Sequence, residues 1–218
     1  MFQKFRGWPQ INIRKMVNKM AINLTKGQKI DLTKTNPGLT QLQVGLGWDP
    51  IKPKKKGLFG ALTSVVGNLD CDASVLMLVE DHLISSSDIV SFRKLKSDCG
   101  SVIHSGDNLT GSGNGDDETI MVHLNKVPSQ INRLVFVVNI FSAASRRQDF
   151  GMVENAYIRV INPQTKEELV RFNLTEDFAG KTSLITGEIY RHNGEWKFNA
   201  IGNGTSDTSI EQLATRYR

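Results

Sequence analysis

Apolar residues in this chain return at every second position, and that period fixes the kind of element the chain can build. Leu42, Val44, Leu46 and Trp48 alternate with small or polar residues, and Ile120, Val122 and Leu124 do so again. A two-residue period places such side chains on one face of a strand, ready to pack against a second sheet. Ile22 and Leu24, then Ile30 and Leu32, flank Lys26-Gly27-Gln28 and predict a small hairpin. Pro50 and Pro53 end the strand that holds Trp48. Ala73 to Val79 is apolar with one Ser, the pattern of a strand covered on both faces. Further strands are expected at Ile89–Leu95, Ser101–His104, Thr119–Leu124, Arg133–Phe141, Ala156–Ile161, Leu169–Leu174 and Leu184–Arg191. The last of these turns through Asn193-Gly194, a pair suited to the two positive φ angles of a type I′ turn, into Trp196–Ile201. Only the tail changes period: Ile210, Leu213, Ala214 and Tyr217 fall at helical spacing behind a Ser206-Asp207 cap. The fold class that follows is all-β, a β-sandwich of two mostly antiparallel sheets with a short C-terminal helix.

With 218 residues, 39% of them hydrophobic, the chain is read as one domain with a real core. The longest apolar run, Leu134 to Val138, is far short of the ~20 residues that carry a helix across a bilayer. The formal charge of +5 has a local origin. Met1 to Lys19 contains Lys4, Arg6, Arg14, Lys15 and Lys19 and no acid, so the rest balances 22 basic against 22 acidic residues. Nucleic-acid binding is therefore not expected of the folded part. Residues 1–19 lack the apolar stretch of a signal peptide and are read as a basic extension, disordered or upstream of the domain, which spans 20–218. Within it, 50–68 reads as a Lys-rich surface loop, with an acid-binding patch as the alternative. Cys71 and Cys99 are expected to be reduced thiols in a cytoplasmic protein.

One stretch departs from the strand-and-turn pattern. Gly106 to Glu118 combines glycines with Asp107, Asn108, Thr110, Ser112, Asn114, Asp116, Asp117 and Glu118, a dense set of hard oxygens. Four carboxylates crowded into one turn repel one another unless a cation holds them. Calcium suits the set, because it takes six to eight oxygens in flexible geometry and accepts backbone carbonyls such as those of Gly111 and Gly113. Zinc would call for His or Cys. The spacing is not that of an EF-hand, and the loop occurs once, unlike a calcium-binding repeat. Asp70 and Asp72, two apart at the entrance of a buried strand, project to one side with Cα atoms ~6.6 Å apart and complete the candidate cation site. The competing structural readings are a plain acidic loop and an edge guard against aggregation.

Other chemistry has little to stand on. His82, His104, His123 and His192 show no metal-helix spacing, and no G-x-S-x-G, P-loop, C-x-x-C or dinucleotide fingerprint occurs. Arg146, Arg147 and Asp149 read as a surface ion-pair loop, and Trp48 and Trp196 as core or rim packing. A metal-assisted hydrolase working at the acidic loop is the alternative to a non-enzymatic binding module, and it needs an open coordination position and a base.

The residues quoted resemble the bacterial TerD family of tellurium-resistance and stress-response proteins. The likeness runs from Met20-Ala21-Ile22-Asn23-Leu24 through Val44-Gly45-Leu46-Gly47-Trp48-Asp49. It is strongest at Leu69-Asp70-Cys71-Asp72-Ala73-Ser74, at Gly106-Asp107-Asn108-Leu109-Thr110-Gly111 with Gly115-Asp116-Asp117-Glu118, and at Ala156-Tyr157-Ile158-Arg159-Val160. The resemblance implies a calcium-binding β-sandwich with no enzymatic activity. The ion would be held by Asp70 and Asp72 together with Asp107, Asn108, Thr110, Gly111, Gly113, Asp116, Asp117 and Glu118. It also implies protein partners, among them the integral-membrane protein TerC, in a complex at the inner membrane. Three departures stand out: Asn114 occupies a place where relatives often carry an acid, Ser142 to Ser145 replaces an expected Asp after an aromatic, and the Lys-rich stretch has no counterpart.

Overall fold

The computed structural model describes residues 21–51, 69–106 and 115–218. Two six-stranded sheets face each other. The first runs β1 (Ile22–Leu24), β10 (Glu168–Asn173), β9 (Val153–Ile161), β3 (Gln41–Pro50), β7 (Glu118–His123), β6 (Val102–His104). The second runs β2 (Lys29–Asp31), β12 (Glu195–Thr205), β11 (Ser183–His192), β8 (Arg133–Ile140), β4 (Cys71–Leu78), β5 (Ile89–Val90). All neighbouring strands are antiparallel except β1 and β10. The expected β-sandwich is therefore what the chain forms.

The burial patterns explain the two kinds of strand sequence. In β7, Glu118, Ile120 and Val122 are buried while Thr119, Met121 and His123 are half-buried, the alternation of a strand with one face toward the core. All of β4 is buried, and nearly all of β8. Their inner residues, among them Val75, Leu134 and Phe136, join the core between the sheets. Their outer residues, Leu76, Leu78, Val135 and Val137, pack against Ile210, Leu213 and Ala214 of the C-terminal helix. Burying a side chain such as Leu213 contributes roughly 1.5–3 kcal/mol. A continuous apolar run thus marks the strands covered twice.

Three expectations need correcting. The Lys26-Gly27-Gln28 turn does not close a hairpin: β1 joins β10 and β2 joins β12, so the strands part to opposite sheets and bridge them. Ile89–Leu95 yields only the two-residue β5, because the chain folds back through a Ser91–Lys94 bridge. The helix cap is Ser209, whose Oγ accepts from the Gln212 N–H at 3.3 Å, and not Ser206-Asp207. Asp207 is committed elsewhere, its carboxylate to Arg216 and its carbonyl to the hydroxyls of Thr182 and Ser183. The Asn193-Gly194 turn has φ of 53° and 79°, as its sequence requires. Trp48 and Trp196 are both buried. The Lys-rich stretch from Lys52 and the extension Met1 to Lys19 lie outside the described residues.

Candidate functional site

Two strand entrances meet at one end of the sandwich. Asp70 and Asp72 stand at the start of β4, and Asp116, Asp117 and Glu118 lead into β7 in the facing sheet. Asp107, Asn108, Thr110, Gly111 and Gly113 lie outside the described residues. The five acids that are described do different jobs.

Glu118 ties the sheets together. β5 covers β4 only at Val75 and Leu76, which leaves the outward backbone groups of Ala73 without a strand partner. The Glu118 Oε2 accepts the Ala73 N–H at 2.7 Å, and the His104 Nε2 lies 3.2 Å from the Ala73 carbonyl and 3.2 Å from Glu118 Oε2. His104 Nδ1 accepts from the Gly106 N–H at 3.0 Å, so the ring proton sits on Nε2 and faces both oxygens. Two side chains of the first sheet thus satisfy an edge of the second.

Asp116 fastens the loop end to the outer face of the first sheet. Arg159 grips its carboxylate twice, Nε to Oδ1 at 2.7 Å and Nη2 to Oδ2 at 3.0 Å, and the Tyr157 hydroxyl donates to Oδ1 at 3.0 Å. The carboxylate fits only because residue 45 is glycine; a Cβ there would overlap Asp116. Arg159 also binds Glu168, which Arg171 holds in turn, and Arg171 lies over the Tyr157 ring. Burial and the Asp116 charge push the Tyr157 hydroxyl up to about 12.

Asp117 turns the other way. Its Oδ2 accepts the Trp48 N–H at 2.7 Å, and burial, with added repulsion from Asp49, Asp116 and Glu118, raises its carboxyl above the usual range. It borders a surface cleft of about 790 Å³ that also takes in Asp49, Glu154 and Tyr157.

Asp70 and Asp72 are buried on the outer side of β4. The ladder to β8 pairs Asp72 with Asn139, and the Phe141 N–H donates to the Asp70 carbonyl at 2.8 Å, so both acids share one face, as their spacing predicts. Arg146 reaches to 3.7 Å from Asp70, where the sequence suggested only a surface ion-pair loop. Asp149 caps the short turn at Phe150 through the Gly151 N–H. Between the groups lies Cys71, whose thiol is pushed well above its ordinary value by burial and then by Asp72, Asp70, Glu118 and Asp117.

Among the described residues, no three His, Cys, Asp or Glu side chains are gathered closely enough to hold an ion by themselves. The donors present are nonetheless hard oxygens: the only thiol among them is inward-facing, and His104 has both ring nitrogens engaged. That chemistry fits calcium and not zinc. Arg159, His104 and Asn139 have no role assigned from sequence: His104 lacks metal-helix spacing, Arg159 stands within the Ala156 to Val160 motif, and Asn139 is a polar break in an apolar strand.

A profile described as the TerD domain matches residues 20–217. The chain is 54% identical to the stress response protein SCP2 of Bacillus subtilis (strain 168) over 199 residues, 91% of this chain and 100% of that one. It is 41% identical to the tellurium resistance protein TerD of Serratia marcescens, covering 85% of this chain and 91% of that one. The solved structure of a TerD homologue from Streptomyces coelicolor A3(2) superposes with a TM-score of 0.59 at 22% identity, over 80% of this chain and 95% of that chain, a likeness of fold. With a family-wide match across nearly the whole described sandwich and relatives named for stress response and tellurium resistance, the chain belongs to the TerD family.

Proposed function

We propose that this TerD-family chain is a calcium-binding, non-enzymatic module of the stress response, acting in the cytoplasm. The observation that carries the reading is the pair Asp70 and Asp72, two carboxylates buried side by side on one face at the start of β4. Asp70, Asp72 and Asp117 would hold the ion together with Asp107, Asn108, Thr110 and the carbonyls of Gly111 and Gly113. Asp116 and Glu118 serve as framework, since Arg159 and Ala73 already engage them. The bound ion supplies positive charge that neutralises the cluster and lowers the cost of keeping buried carboxylates ionised. Ordering that edge would present it to a protein partner, including a membrane-associated complex with TerC. No helix of the described residues is long and apolar enough to cross a membrane, which is consistent with a peripheral role at the inner membrane.

Calorimetric titration of the chelator-stripped full chain with calcium tests the proposal, beside an Asp70→Ala plus Asp72→Ala variant. Heat in the parent and none in the variant is the expected result. A parent that gives no heat ends the calcium reading.

A further inference from the structure

We infer that Asn139, from β8, adds its Oδ1 to a cation site at Asp70 and Asp72. This rests on the calcium reading above and names one more ligand for it. Asn139 is 7% exposed, and its Oδ1 is shielded from solvent with no hydrogen-bond donor. A buried amide oxygen without a partner is unfavourable, and native proteins seldom retain one without cause.

Nothing in the packing asks for an amide there. Val135 and Val137, which share its face of β8, are apolar and lie under the C-terminal helix. Of its two cross-strand neighbours, Ser183 on β11 gives its hydroxyl to the Asp207 carbonyl at 2.8 Å. The other is Asp72 on β4, directly opposite in the ladder. Side chains opposite one another in an antiparallel pair stand on one face with Cβ atoms ~4.5–5.5 Å apart, so the amide and the Asp72 carboxylate are immediate neighbours on that face. An ionised carboxylate cannot donate to an amide oxygen. A hard cation beside them satisfies the amide oxygen, and amide carbonyls are ordinary calcium ligands. Placed on the central strand of the second sheet, Asn139 gives the site a neutral donor whose position is fixed before the ion arrives.

The rival is an amide turned so that its NH₂ donates to Asp72, a purely structural bond. Calcium titration and thermal melts in chelator separate the two, using the full-length Asn139→Leu and Asn139→Asp variants. The inference expects Asn139→Leu to lose roughly tenfold or more in calcium affinity, given that even indirect supporting contacts cost 10–100-fold. In chelator the same variant should melt no lower than the parent, since an unsatisfied oxygen has gone. Asn139→Asp keeps an oxygen in place and should bind within about threefold of the parent or more tightly. An Asn139→Leu protein that binds like the parent but melts lower overturns the inference and leaves the calcium reading intact. Should that variant not fold, a folded Asn139→Asp that loses more than about tenfold overturns it equally. A parent that binds no calcium overturns both.

Discussion

The Glu118 carboxylate accepts the backbone N–H of Ala73 at 2.7 Å, across the gap between the two sheets. A side chain of one sheet thereby occupies the place where a neighbouring strand of the other would lie. Replacing Glu118 by Ala strands the Ala73 N–H in the interior and removes the acceptor for His104, which should cost about 2–3 kcal/mol. Urea unfolding of the metal-free protein measures it. A loss below about 0.5 kcal/mol, the range of ordinary surface changes, would contradict the role assigned to Glu118.

The contact between Asp116 and Gly45 makes a second prediction. Gly45→Ala forces the carboxylate off its seat against Arg159 and should destabilise by about 1–3 kcal/mol, as overpacking does. In an Asp116→Ala background the added methyl has room, and the penalty should shrink by about 1 kcal/mol or more, a coupling that a double-mutant cycle reads directly. Additive effects would mean that Gly45 is needed for some other reason.

Thiol labelling separates the two cysteines. Burial, then the charges of Asp72 and Asp70, holds the Cys71 thiol well above its ordinary value, whereas exposed Cys99 is brought below it. Its partial burial acts the other way but is outweighed by hydrogen bonds from Ser101 and Ser97. A chromogenic disulfide reagent near pH 7 should label Cys99 in the native protein, and Cys71 only after denaturant is added. Equal native reactivity would place Cys71 outside the interior.

Acid should loosen the C-terminal tail. Burial tends to raise the Asp207 carboxyl, but hydrogen bonds from Arg216 and Thr205 outweigh it and hold the group below its usual 3.8. A carboxyl depressed in the folded state contributes stability above its unfolded pKa and loses it as pH falls through the folded one. The parent should therefore weaken below pH 3.8 partly through this pair. Arg216→Ala should remove up to about 1 kcal/mol at neutral pH, since Arg216 is largely exposed, and should flatten the acid limb of a urea-midpoint against pH curve. An unchanged limb would assign the acid sensitivity to other groups.

The strands were legible because alternation is a local property: Leu42 to Trp48 and Thr119 to Leu124 state their buried face in their own order. Asp70 and Asp72 were legible for the same reason, being two apart on one strand. The hairpin expected around Gly27 failed because spacing alone cannot say whether two strands pair with each other or with different sheets. Asp116, Asp117 and Glu118 are consecutive and chemically alike, and nothing in their order distinguishes them.

From its sequence alone this chain determined an all-β sandwich with its acids gathered at two strand entrances, since pleat and charge are written residue by residue. Tertiary structure decided which acid does what: Arg159 lies 43 positions from Asp116, and Ala73 lies 45 from Glu118. Which donor each carboxylate engages depends on what distant strands bring to it.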